Sequence, residues 1–291
     1  MKRIVNVLLY GSIVALLLYI YKLDFLIFRN LSINYNWLFI SVTFLFTGFV
    51  FAAISWKVVL NLHNVKASFK EAVYSQGIVG FTKYIPGRVW TILGRAAILK
   101  NDDRKLKKLS FISFKEQLIY LCLGFLISIY PVFKTEKIKE YAWIIVVLTG
   151  LLFLLLFSTR LQRFFEKIWN RIFKRSLNLP KIKVIEFAKI SGVIVIWWFF
   201  WIAGFYFLLI SITGVVPFYY AFAFPLSVVL GLISIIFPGG IGVREGVISL
   251  FLISNGINAD VAVTISIVAR VWFLAGEFFA FFLALYFRKK V

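Results

Sequence analysis

One cysteine, one histidine and twelve acidic side chains are spread over 291 residues, and each scarcity closes a route. Cys122 stands alone inside an apolar run, so the chain can build neither an intrachain disulfide framework nor a thiolate metal cluster. His63 has no second nitrogen or sulfur ligand spaced for a metal, and we assign neither a metal nor any other cofactor. Asp102-Asp103 is the only adjacent acidic pair. Beside Arg104 and without a DDxxD-type spacing, it reads as a solvated loop rather than the metal-phosphate site of a transferase. No GxxxxGK[ST] occurs, which argues against ATP hydrolysis within the chain. Gly240-x-Gly242-x-x-x-Gly246 has the wrong spacing and no βαβ context for a nucleotide fingerprint.

Apolar residues are abundant. They make up 62% of the chain against roughly 45–50% in soluble domains, with 15% charged residues and a mean hydropathy of +0.93. This is the composition of a polytopic membrane protein, and the length accommodates about six to eight elements of roughly 20 residues. It leaves no room for a separate soluble enzyme domain. The 33 Lys+Arg against 12 Asp+Glu give a formal charge of +21, which in a soluble protein would suggest nucleic acid. Beside apolar spans, such basic loops set orientation and bind anionic headgroups, and no nucleic-acid partner is expected. Lys2 and Arg3 precede an apolar run that resembles a signal peptide. Tyr19, Tyr21 and Lys22 occupy the place of a cleavage site, so the run is expected to be a retained span.

The expected fold is an all-α polytopic membrane protein, a single domain over 1–291, with full spans near 4–22, 37–60, 111–133, 141–158, 185–211 and 259–287. Two further apolar segments, about 71–99 and 217–256, are broken by Pro-Gly pairs and read as re-entrant helical hairpins. Basic residues support this count. With the N-terminus inside, Lys2, Arg3, Lys66, Lys70, the Lys100–Lys108 run, the Arg160–Lys183 loop and Arg288–Lys290 are cytoplasmic, about twenty against five outside. That balance holds only if both broken segments return to the side they left. Both termini are then cytoplasmic in an inner membrane, and the halves, about 37–133 and 185–287, form an inverted repeat, an architecture that places substrate sites near the midplane. The 158–183 loop alternates basic residues with Leu161, Phe164, Ile168 and Ile172 at helical spacing, as an amphipathic anchor on the inner leaflet would.

The two breaks carry the chemistry. The first is Lys83-Tyr84-Ile85-Pro86-Gly87-Arg88, followed by Trp90 and Arg95; the second is Pro238-Gly239-Gly240-Ile241-Gly242-Val243-Arg244-Glu245. A helix starting inside a membrane presents unpaired N–H groups to an anion. Arg88 and Arg95, seven residues apart, would share a face and grip a phosphate, with Lys83 more loosely placed. Gly239, Gly240 and Gly242 would let a ligand or a facing helix approach the backbone, and Arg244 beside Glu245 reads as a charge pair. Glu116, Arg270 and Glu277 are supporting candidates, and the buried acids would neutralise the arginines while the site is empty. The plainer reading is that these charges merely pair and lock the hairpins. Trp197, Trp198 and Trp201 are expected to pack or to face lipid.

At these residues, from Lys83 through Arg88 and Arg95, Glu116 and Phe237–Gly246 to Arg270, the sequence resembles the flippase-like family typified by the membrane region of lysylphosphatidylglycerol synthase/flippase. The resemblance implies a flippase-type fold that moves an anionic or aminoacylated lipid, or a lipid-linked sugar, between leaflets. It implies membrane lipids as partners, with glycolipid or polysaccharide assembly enzymes as further candidates and a homodimer left open. The soluble aminoacyl-transferase domain of the bifunctional members has no counterpart here, so lysyl transfer is not carried over and no enzyme activity is expected. An intramembrane lipid-phosphate transferase and a non-catalytic subunit of an envelope-assembly complex are the competing readings.

Overall fold

The computed structural model describes residues 32–84, 89–173, 182–234 and 238–288, and all of its regular structure in these residues is helical. The expected span near 4–22, and Pro86, Gly87 and Arg88, lie outside the described residues. Helix α1 (Tyr35–Leu62) is followed by α2 (Phe69–Val79), which tightens into a 3₁₀ turn over Gly80–Tyr84, and by α3 (Val89–Leu99) and α4 (Leu106–Lys134). Then come α5 (Ala142–Phe157), α6 (Thr159–Phe173) and α7 (Val184–Thr213). A 3₁₀ turn over Phe218–Phe222 opens α8 (Ala223–Ile233); α9 (Val243–Ser254) and α10 (Ala259–Arg288) complete the chain.

Among the described residues, five helical stretches are long and apolar enough to cross a membrane: α1, α4, the 19-residue run Lys139–Phe157 containing α5, α7 and α10. Their boundaries have local causes. Asn34 caps α1 by accepting from the amides of Asn36 and Trp37. Ser68 and Glu71 form a reciprocal capping box that starts α2. The Glu245 carboxylate accepts from the Gly242 amide at 2.7 Å, which starts α9 directly after the glycines that ended the preceding turn.

Each broken segment begins and ends at the same end of the bundle. Arg104, just past α3, pairs with Glu71 at the start of α2 and donates to the Lys66 carbonyl at 2.5 Å. At the opposite end, Tyr219 donates to the Asn255 side chain at 2.8 Å and Tyr220 to the Asn255 carbonyl at 2.7 Å, so the start of α8 meets the end of α9.

The helix pairings are preserved when α1–α4 are exchanged for α7–α10. Helix α1 packs on α7; α2 on α10 and α8 on α4; α1 on α10 and α7 on α4; α3 on α4 and α9 on α10. Lipid provides no hydrophobic drive between helices, so close packing at small residues has to hold these pairs. The Ser41 hydroxyl donates to the Gly204 carbonyl at 2.6 Å, joining α1 to α7. Gly77 lies against the backbone of Ala280 and the methyl of Ala284, and Gly124 lies against Val229, so equivalent pairs in the two halves each meet at a glycine.

Candidate functional site

A cavity of about 600 Å³ lies between the two broken segments. Gln76, Gly77, Gly80 and Lys83 of the first segment face it with Thr91, Ile92 and Arg95 of α3. Val228 and Gly231 of α8, Gly239 and Arg244 supply the second segment's share. Helices α1, α4, α7 and α10 close the walls with Ala52, Glu116, Tyr120, Trp197, Trp201, Phe273 and Glu277. The lining reaches towards one end of the bundle at Val73, Phe114 and Leu283; Asn34, Thr135, Ser211 and Asn255 at the other end do not contribute.

Three ion pairs surround this space. Arg95 contacts Glu116 at 2.7 Å, donates to the Ser113 hydroxyl at 2.8 and 3.1 Å, and lies 4.3 Å from the Trp56 ring centre. Lys83 pairs with Glu277, whose other carboxylate oxygen accepts from the Tyr84 hydroxyl at 3.0 Å. Arg270 lies 3.5 Å from Glu245, donates to the Gly239 carbonyl at 3.2 Å and covers the Tyr84 ring at 5.3 Å.

Arg244 is different. It is 7% exposed, and no described carboxylate lies within ion-pair distance of it, Glu277 being taken by Lys83 and Glu245 by Arg270. Its guanidinium lies 4.8 Å from the ring centre of Phe273 and 5.6 Å from that of Phe224. Removing an ion from water costs several kcal/mol, whereas a desolvated cation–ring contact returns only about 2 kcal/mol. A guanidinium in this setting favours the paired oxygens of an anion such as a phosphate.

The glycines make this arrangement possible. Gly239 (φ 62°) and Gly240 (φ 69°) adopt the left-handed region that side chains disfavour. Gly239 lies under the Tyr84 ring, Gly240 lies against the backbone of Gly231, and Gly231 in turn leaves space for the Arg244 stem. Of the two uses expected for these glycines, close approach by protein accounts for Gly240.

The sequence-based candidates are thus largely brought together, with different partners from those expected. Glu245 pairs with Arg270 rather than with its neighbour Arg244. Lys83 is held by Glu277 instead of reaching loosely towards the interface. Arg95 already has a carboxylate, so it is a compensated wall residue rather than half of an open guanidinium pair. Lys115 turns away to Glu186 at 2.6 Å and to His63 at 3.0 Å. Trp90 is 37% exposed and stands outside the cavity wall. Trp197, Trp198 and Trp201 are packed: Trp197 and Trp198 stack with Tyr120, and Trp201 meets Trp197 edge-on. Sequence reasoning missed Trp56, Ser113 and the Phe273 platform. Ser113 lies three residues from Glu116 on one helix face, a spacing that links them; nothing local marks Phe273 among 34 phenylalanines.

Neither the curated proteins nor the solved structures contain a match to this chain. The family model described as the lysylphosphatidylglycerol synthase TM region matches residues 3–275. With its paired broken segments around a charged cavity and nearly its whole length matched, the chain belongs to the lysylphosphatidylglycerol synthase transmembrane-region family.

Proposed function

We propose that this protein translocates an anionic lipid between the leaflets of the cytoplasmic membrane, with the headgroup phosphate seated on Arg244. The observation that carries this reading is the buried Arg244, which faces a largely apolar cavity without a carboxylate of its own. A charged group at membrane depth is costly and marks a functional site by default. The family's membrane region supports a lipid-related role.

In this reading the two broken segments are re-entrant hairpins that enter from opposite faces, and the two halves form an inverted repeat. The shared ends of each segment and the exchangeable helix pairings support it. The end that carries Lys66, Lys70, Arg104, Lys107 and Lys108 faces the cytoplasm. The cavity belongs to that half, which supports entry of lipid from the cytoplasmic leaflet in this reading. The lipid is a phospholipid, an aminoacylated lipid or a polyprenyl-phosphate sugar, all of which combine a phosphate with apolar chains.

Reconstitution tests the reading. In vesicles carrying labelled phosphatidylglycerol, phosphatidylcholine and a polyprenyl-phosphate sugar, the protein is expected to raise leaflet exchange of at least one anionic lipid above that of protein-free vesicles. Absence of exchange for every lipid contradicts translocation. A covalently altered lipid recovered from the same vesicles would identify a transferase instead.

A further inference from the structure

Glu277 occupies an unusual position among the charges of the cavity. It is 3% exposed on α10, and the first broken segment takes both its oxygens, one through Lys83 and the other through the Tyr84 hydroxyl. Lys83 keeps 28% of its side-chain surface and lines the cavity. Its ammonium lies 5.0 Å from the centre of the Phe273 ring, the ring that Arg244 covers at 4.8 Å. One aromatic ring thus seats a cation from each broken segment. Among the described residues, Glu277 is the carboxylate in ion-pair contact with this pair of cations, and that contact is made to Lys83.

A phosphate that docks on Arg244 has oxygens to spare, and Lys83, over the same Phe273 ring, is a further cation lining the cavity. Taking that cation means displacing a carboxylate oxygen already bound to it. We propose that Glu277 is a tethered stand-in for the ligand's anionic group, holding Lys83 in the empty protein and yielding it when a phosphate bridges Lys83 and Arg244. This inference rests on the translocation reading and adds a specificity device to it. A hydroxyl or amide cannot replace a carboxylate on an ammonium, so neutral headgroups leave the Glu277–Lys83 pair intact. A phosphate that satisfies both cations breaks it. Tyr84 retains the second oxygen, so the displaced carboxylate stays hydrogen-bonded instead of becoming orphaned in the low-dielectric interior. Because the pair joins α10 to the first broken segment, its release also connects occupancy of the site to the packing of those two elements.

Dihexanoyl phosphatidylglycerol, titrated into the full-length protein in detergent and followed by the fluorescence of the cavity-lining Trp197 and Trp201, provides the test. Glu277→Gln, which removes the competing charge, is expected to bind this probe about tenfold more tightly than wild type, the change that about 1.4 kcal/mol produces. Tyr84→Phe, which leaves the displaced carboxylate without its remaining hydrogen bond, is expected to weaken binding a few-fold, and Lys83→Gln to weaken it as well. A purely structural Glu277 predicts the reverse for the first variant. Equal or weaker binding by a Glu277→Gln protein that unfolds at the wild-type temperature overturns the inference. If Glu277→Gln does not fold, Tyr84→Phe decides, and unchanged affinity overturns the inference. Failure of the wild type to bind the probe at all removes the anion site, and this inference with it; wild-type binding without the Glu277 effect removes the inference alone.

Discussion

Arg95 and Arg244 carry the same charge in the same cavity wall, but Arg95 has Glu116 at 2.7 Å and the Ser113 hydroxyl, whereas Arg244 lies over the rings of Phe273 and Phe224 with no described carboxylate within ion-pair distance. A buried pair contributes little net stability because desolvation offsets attraction, but removing one partner strands the other. Arg95→Leu and Glu116→Leu are therefore each expected to lower stability by about 3–5 kcal/mol, while the double variant stays near wild type. Thermal unfolding in detergent measures this, and a double variant as unstable as either single one would refute the pairing. That these ionisable residues stand apart was legible because such groups are scarce in apolar spans. Their partners were not: Lys83 and Glu277 are 194 positions apart, and no local pattern distinguishes that pairing from one between Arg244 and Glu245.

At the scale of elements, the spans were legible because a membrane demands long uninterrupted apolar helices and Pro-Gly interrupts them. The expected 37–60, 185–211 and 259–287 appear as Tyr35–Leu62, Val184–Thr213 and Ala259–Arg288. The contacts that close the end away from the cavity were not legible, because hydroxyls and one amide make them. Asn255 donates to Thr135 at 3.0 Å and accepts from Tyr219 at 2.8 Å, so the end of α4 is tied to both ends of the second broken segment. Translocation requires this closure to part. In a Thr135→Cys/Asn255→Cys protein, a short reducible bifunctional thiol reagent is expected to abolish lipid exchange, with recovery after reduction. Cys122 is 0% exposed inside α4 and does not interfere. Undiminished exchange by the bridged protein would show that this end stays shut throughout.

For the whole molecule, the exchangeable pairings of α1–α4 and α7–α10 explain how one chain builds a site from both halves: each contributes a broken segment, and the cavity forms where the two meet. The compositional signal for this plan was two apolar segments with the same kind of interruption. The depth and lining of the cavity follow from glycine contacts such as Gly77 with Ala280 and Gly231 with Arg244, which depend on three-dimensional register and leave no periodic trace. The proposed translocation depends above all on Arg244, the cavity cation that among the described residues has no carboxylate within ion-pair distance. Leaflet exchange of labelled phosphatidylglycerol by Arg244→Gln, measured beside wild type in identical vesicles, tests that dependence most directly. A loss of about tenfold to a hundredfold is expected from removing a charge-assisted phosphate contact worth roughly 1.5–3 kcal/mol, with the unfolding temperature preserved. Exchange at the wild-type rate by the folded variant would contradict the anion site and the function built on it.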